Sequence, residues 1–243
     1  MMTLLQIEKA ARNFGGLKAV DQVSFEIESG TIMGLLGPNG SGKTTLLNLI
    51  SGFLTPSAGR IVFNGRDLAG ARPDKIARAG IARTFQLVRI LPSLTLLENV
   101  MLPAVFGHRS HWGKEADRVA RAALEKTGLG ERASASAGDL NYIDQKRLEL
   151  ARALAAEPEL LLLDEWLAGL NPTELQEGIA LIRSLSGSGI PIIMVEHIME
   201  AVRALCPRCA VMNAGKLIAD GETAKVLSDK AVIAAYLGDA EDA

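Results

Sequence analysis

GPNGSGKTT, residues 37–45, stands between an apolar run, TIMGLL, and a helix-like stretch, LLNLISGF. Gly37, Gly42, Lys43 and Thr44 satisfy the pattern of a glycine, four residues, then Gly-Lys-Ser/Thr. Glycines let consecutive backbone N–H groups turn toward one point as an anion nest, and the following helix adds the positive end of its dipole. Pro38, Asn39, Gly40, Ser41 and Thr45 complete the loop. In this pattern Lys43 brings a point charge to the β- and γ-phosphates, and the Thr44 hydroxyl ligates Mg2+. A glycine-rich turn alone is the bland alternative. A strand before and a helix after are the context that phosphate binding requires, and both are legible here.

The stretch LLLLDE, residues 160–165, is the natural second half of such a site. Its apolar run reads as a strand buried on both faces. Asp164 at its end is placed to hold hydrated Mg2+, and Glu165 to orient or deprotonate a water aimed at the γ-phosphate. The competing reading is an Asp-Glu pair that only ends a strand and caps a helix.

With 243 residues, the chain is long enough for one large domain or a core with a small inserted lobe. Aromatic residues make up only 4%, so the core must be mainly Leu, Ile, Val and Ala. A net charge of −2 gives no reason to expect a nucleic-acid partner. Apolar runs such as 160–163 and 190–195 fall well short of the ~18 residues of a membrane span. The start, MMTLLQIEKA, lacks the pattern of an export signal, so the chain is expected in the cytoplasm, meeting a membrane only through a partner. Cys206 and Cys209 form a CxxC without a second pair, and both thiols are expected to pack near a strand entrance.

The expected organisation is a nucleotide-binding α/β core, residues 1–87 and 157–230, interrupted by a helical lobe, 88–156, and followed by a tail, 231–243. LLQIEKAARNF and AVDQVSFEIESG read as strands, the alternation clearest at Val23, Phe25 and Ile27. GRIVFNGRDL is a short strand turning at Asn64-Gly65. In the lobe, Ala116, Val119, Ala120, Ala123 and Leu124 share one helical face, with Gly128 and Gly130 suited to its stop. Leu148, Ala151, Leu154 and Ala155 repeat the pattern. NPTELQEGIALIRSLSGSG starts a helix with Pro172, IPIIMVEH is a buried strand, and RCAVMNAGKLIADG is a hairpin. The terminal GDAEDA reads as a frayed acidic end.

The order of these features resembles that of the ATP-binding subunits of ABC transporters over essentially the whole chain. It runs Phe14, the glycine-rich loop, Gln86 in RTFQ, a helical lobe, segment 140–145, LLLLDE, AGLNP, and His197 in VEH. FGGLKAV, IARTFQLVRILPSLTLLENV, VEHIMEAV and AAYLG are most similar to the larger ATPase subunit of branched-chain amino acid importers. Importers of urea, amides and other amino acids share much of this vocabulary. The resemblance implies a P-loop ATPase with a mainly parallel sheet, a small antiparallel β lobe and an inserted helical lobe, hydrolysing ATP with Mg2+. It implies that Phe14, near Val20, stacks on adenine, that Gln86 approaches Mg2+ and the attacking water, and that His197 contacts the γ-phosphate. It also implies membrane permease subunits contacted near 86–112, a second ATPase subunit, with a heterodimer favoured, and indirectly a periplasmic or extracellular solute-binding protein. The chain would then sit on the cytoplasmic face of the cell membrane. Without the resemblance, Phe14 would be assigned to the core, Gln86 to a loop surface and His197 to structure. His108, His111 and Trp112 read as exposed surface or partner contacts.

Two positions depart from the family. The family's LSGGQ signature closes over the nucleotide of the opposite subunit, and here its place is taken by Asn141, Tyr142, Ile143 and Asp144 after Leu140. Tyr is common at the first glycine of these importers, whereas Ile143 replaces a glycine normally kept. If that position has positive φ, Ile strains it by roughly 1–2 kcal/mol, and a side chain lying over phosphate would displace hydrogen bonds. Trp166 stands where Pro is usual, and would alter how Glu165 is presented or pack on a partner. Two functions remain: an authentic transport ATPase in an asymmetric pair, or a nucleotide-binding regulatory or structural partner with little turnover. A P-loop kinase or a DNA-processing relative is less suited, lacking an acceptor site and long coiled-coil insertions respectively.

Overall fold

A computed structural model describes residues 3–238. Strands β1 (Thr3–Phe14) and β2 (Leu17–Glu28) pair antiparallel, and β2 buries Val23, Phe25 and Ile27 in alternation. Strand β3 (Ile32–Leu36) is buried throughout and runs into the glycine-rich loop and helix α1 (Lys43–Ile50). Helix α1 buries Leu46, Leu47, Leu49 and Ile50. Strands β4 (Ala58–Phe63) and β5 (Arg66–Asp67) are joined at Asn64 and Gly65, whose φ values of 49° and 74° suit a tight hairpin turn. Helix α2 (Pro73–Ala79) leads to β6 (Ile81–Arg83).

Helices α3 (Leu96–Phe106), α4 (Gly113–Lys126) and α5 (Tyr142–Ala155) then pack on one another as the helical lobe. The α4 face predicted to be apolar is the buried one, all five residues included. Helix α3 starts at a capping box, Thr95 with Glu98, each satisfying the other's backbone N–H.

The chain returns through β7 (Leu160–Asp164), α6 (Pro172–Gly187), β8 (Ile192–Val195) and α7 (Met199–Leu205). The hairpin of β9 (Arg208–Asn213) and β10 (Lys216–Glu222) follows, then α8 (Thr223–Val226) and α9 (Lys230–Gly238). The segment read as a tail from 231 therefore starts as helix, and the acidic end at 239–243 lies outside the described residues.

Two sheets result. One has the order β2-β1-β4-β5 and is antiparallel. The other has the order β10-β9-β3-β8-β7-β6, parallel except at the β10 edge. Alternate residues of β3, β7 and β8 enter opposite cores. Leu161, Leu163, Ile192 and Met194 join the core shared with the helical lobe, while Leu160, Leu162, Ile193 and Val195 join the core beneath the antiparallel sheet and α1. The all-apolar runs are apolar because both faces are covered. Cys206 and Cys209 are buried free thiols beside Gly34, and burial pushes the Cys206 thiol up to about 12.

Candidate functional site

The order β3-β8-β7-β6 brings together loops far apart in sequence. Strand β3 delivers the glycine-rich loop, β8 delivers Glu196 and His197, β7 delivers Asp164 and Glu165, and the segment after β6 delivers Gln86. All four arrive at the carboxyl edge of one parallel sheet, where open α/β sheets bind ligands. A cleft of about 480 Å3 lies there, within the size range of small-molecule sites. It is lined by Phe14 and residues 17–19 on one side, Asn39 to Thr45 along the floor, and Gln86, Glu165, Ala214 and Gly215 around the rim.

The loop is held tightly from behind. A Cβ on Gly42 (φ 103°) would stand 2.3 Å from the Ala19 carbonyl oxygen, and one on Gly37 (φ 142°) 2.1 Å from that of Met212. Only glycine satisfies both the angle and the space. Lys43 is buried and donates through Nζ to the carbonyls of Gly37 (2.7 Å) and Pro38 (2.9 Å). Gly37 and Pro38 thus sit behind the loop and position its lysine. Helix α1 carries no acidic residue in its first turn, so none of its own side chains there opposes an anion at its N-terminus.

Glu165 is the hub of the rim. Its φ of 51° turns the chain out of β7, and its N–H donates to the Val195 carbonyl (2.9 Å). Gln86 Nε2 donates to Oε2 at 2.7 Å, and His197 Nε2 lies 3.0 Å from Oε1. The three predicted catalytic residues therefore meet at one carboxylate.

Asp164 lies deeper, buried and outside the cleft lining, with its Oδ2 taken by Arg83 at 2.7 Å. The Arg83 guanidinium also donates to Asn48 (2.7 Å) and Ser51 (2.9 Å), linking β7 to α1, and burial lowers its pKa despite the Asp164 charge. Phe14 is 44% exposed and faces the cleft, not the core. Val20 is fully buried and absent from the cleft lining; the alternation of β2 turns it inward, leaving residues 17–19 at the surface.

Residues 141–144 do not line this cleft. Asn141 caps α5, its Oδ1 accepting from the Asp144 N–H at 2.9 Å, and half-exposed Tyr142 leans on Gly169. The strain expected at Ile143 is not there. Ile143 lies in the first turn of α5 and is not among the residues with positive φ. It is partly buried and lines a hollow shared with Trp166, Gly178 and Leu181, between α5 and α6. Trp166 packs internally, 2% exposed, and its indole N–H donates to the Lys146 carbonyl at 3.0 Å. A Cβ on Gly178 would stand 2.6 Å from Leu167 Cδ2 and 3.2 Å from the indole, so α6 has a glycine where Leu167 and, less tightly, Trp166 need room. The two departures from the family thus occupy one hollow.

Three residues of the site had no clear sequence signal. Buried Lys146 in α5 donates to the carbonyls of Glu165 (3.3 Å), Trp166 (2.8 Å) and Ala168 (2.7 Å), tying the signature helix to the loop that carries Glu165. Glu196 accepts from the Leu167 N–H (2.7 Å), and burial, with Glu165 nearby, pushes its carboxyl up to about 7 against the pull of Lys146. Arg83 was within the quoted RTFQ stretch, yet only the sheet order reveals its pairing with Asp164. His108 and His111 are half-buried at the foot of the lobe, against Glu159 and Glu157 respectively, and so are not the free surface expected. Trp112 is exposed, edge-on to Phe106.

A profile of the ABC transporter family matches residues 20–168, and one described as branched-chain amino acid ATP-binding cassette transporter matches 216–242. The chain is 38% identical to the high-affinity branched-chain amino acid transport ATP-binding protein LivG of Salmonella typhimurium, over 98% of each chain. It is 37% identical to the corresponding protein BraF of Pseudomonas aeruginosa, again over 98% of each. Among solved structures, the ADP conformation of an ATP-binding cassette of an ABC transporter superposes with a TM-score of 0.88, at 31% identity, over 98% of this chain and all of that one.

Proposed function

The chain belongs to the ABC transporter family, and from that premise we propose that it is the ATP-hydrolysing subunit of an importer for branched-chain or related amino acids. The observation that carries the ATPase reading is the Glu165 carboxylate, held between Gln86 and His197 at the rim of the glycine-loop cleft. The C-terminal profile and the names of the relatives support the solute class.

The cleft suits a nucleoside triphosphate. Phe14 offers an exposed ring for the base, the N–H groups of the loop converge on phosphate, and the loop admits only glycine where the backbone closes in. Thr44, Gln86 and, through water, Asp164 are the groups that would hold Mg2+, which when bound supplies positive charge to the phosphates. Glu165 accepts a proton from, or orients, the attacking water on the rim side. His197 is absent from the cleft lining and fixes the direction of that carboxylate, from where it would contact the γ-phosphate of a bound nucleotide. Gln86 donates to the same carboxylate and so reports to this site any movement of its own segment.

The signature residues do not line this chain's cleft, which supports their serving a nucleotide on a second ATPase subunit, a heterodimer being favoured. A groove between α2, segment 85–89 and α5, lined by Phe53, Phe85, Arg89, Glu149 and Arg152, supports docking of a membrane subunit near Gln86. Among the described residues no helix is long and apolar enough to cross a membrane. In this reading the permease subunits hold the solute path and this chain sits on their cytoplasmic face. The alternative, a partner with little turnover, rested on the departures at Ile143 and Trp166; the helical backbone at Ile143 and the internal packing of Trp166 support the transport ATPase instead. Vesicles holding the chain with its permease subunits, second ATPase and binding protein should take up leucine only with internal ATP. Uptake that proceeds without this chain contradicts the assignment.

A further inference from the structure

The nucleotide loop is tied to the far end of the chain. The Gly37 N–H donates to the Tyr236 hydroxyl at 2.8 Å, across a sequence separation of 199 residues. Tyr236 lies on α9, within the segment matched by the C-terminal profile, and packs against the core of the parallel sheet and helical lobe. Val232, one turn earlier, is buried and seats the helix. Burial raises the Tyr236 pKa, so the hydroxyl is neutral near pH 7 and its oxygen is available to accept.

Gly37 is the first glycine of the loop, and each polar group of this residue is engaged. Its N–H goes to Tyr236 and its carbonyl accepts from Lys43 Nζ at 2.7 Å. Behind it, the Met212 carbonyl and the Ser41 hydroxyl leave no room for even a Cβ. A shift of Gly37 therefore moves the anchor of Lys43, which lines the cleft. Without the hydroxyl, the Gly37 N–H loses its acceptor in a packed setting, and the loop must leave this arrangement to recover one.

We infer that Tyr236 is a positioning residue for the nucleotide loop, through which the C-terminal helix holds Gly37, and with it Lys43, in the arrangement that receives phosphate. On this account α9 is a working part of the nucleotide site. The inference rests on the ATPase reading, because it concerns how that cleft is pre-set. A loop that is competent only part of the time binds more weakly by the competent fraction, while chemistry in the filled site is little changed.

The test is Tyr236→Phe, which keeps the ring and removes only the acceptor. Affinity for adenylyl imidodiphosphate with Mg2+ should fall about five- to tenfold. Hydrogen exchange in a peptide spanning Gly37 should speed up by about tenfold or more, and kcat at saturating ATP should stay within about twofold. If Tyr236 only seats α9, the melting temperature falls while affinity and Gly37 exchange stay at wild-type values, and the inference is overturned. Wild-type protein that binds no nucleotide overturns the ATPase reading and this inference with it.

Discussion

Ile143→Gly separates two accounts of the altered helix entrance. If Ile143 lay over a phosphate, glycine would restore close approach and speed hydrolysis at the site the signature serves. The structure places Ile143 in the first turn of α5, partly buried against Trp166 and Leu181. Glycine in a helix costs about 0.5 kcal/mol relative to Ile. A fully buried Ile contributes roughly 1.5–3 kcal/mol, of which a partly buried one forfeits about half. The sum is about 1–2 kcal/mol, or about 2–8 °C in melting temperature for a chain of this size. Because Ile143 and Trp166 share one hollow, Ile143→Gly with Trp166→Phe should depart from additivity by about 0.5 kcal/mol or more. Thermal unfolding of the isolated chain reads the first effect, and single-turnover hydrolysis by the assembled pair reads the second. The expected result is a less stable variant with no gain in rate. A variant as stable as wild type that hydrolyses faster refutes this placement of Ile143.

Lys146→Met removes the ammonium that three carbonyls of the Glu165 loop share. Turnover should drop about tenfold or more at unchanged nucleotide affinity, because a small shift of a catalytic group is costly; Lys146→Arg should recover much of it, and equal kcat for Met and wild type would contradict the role. Glu196 gives a pH signature. Its carboxyl is raised to about 7 in the fold, so its contribution is full below the ordinary value of 4.5 and is lost as pH rises through 7. Glu196→Gln should therefore stabilise the chain by about 3 kcal/mol at pH 8 and leave it nearly unchanged at pH 4, as read by melting temperatures across that range.

Much of this architecture was legible because local rules and global fold agree. The glycine-rich loop names its own neighbours, a strand and a helix, and LLLLDE declares a strand covered on both faces. Helix α3 was not read from the sequence, although Thr95 and Glu98 form a capping box inside SLTLLENV. What periodicity cannot reveal is which side chains meet across elements. Nothing in DQKRLELARAL signals burial of Lys146, yet the packing of α5 on the loop after β7 sets its ammonium against three carbonyls. Tyr236 and Gly37 are joined by nothing in the sequence. The strain weighed for Ile143 was conditional on a positive φ; helical backbone removes that condition, and Ile143 shares its hollow with the other unusual residue, Trp166.

The central claim is that this chain's own carboxylate, Glu165, drives hydrolysis of the nucleotide held by its own loop. Single-turnover hydrolysis of ATP by the assembled pair, with Glu165→Gln in this chain only, tests it directly. The variant should still bind ATP with Mg2+ but hydrolyse it about 100-fold or more slowly at this site. A Glu165→Gln rate equal to that of wild type would contradict the account.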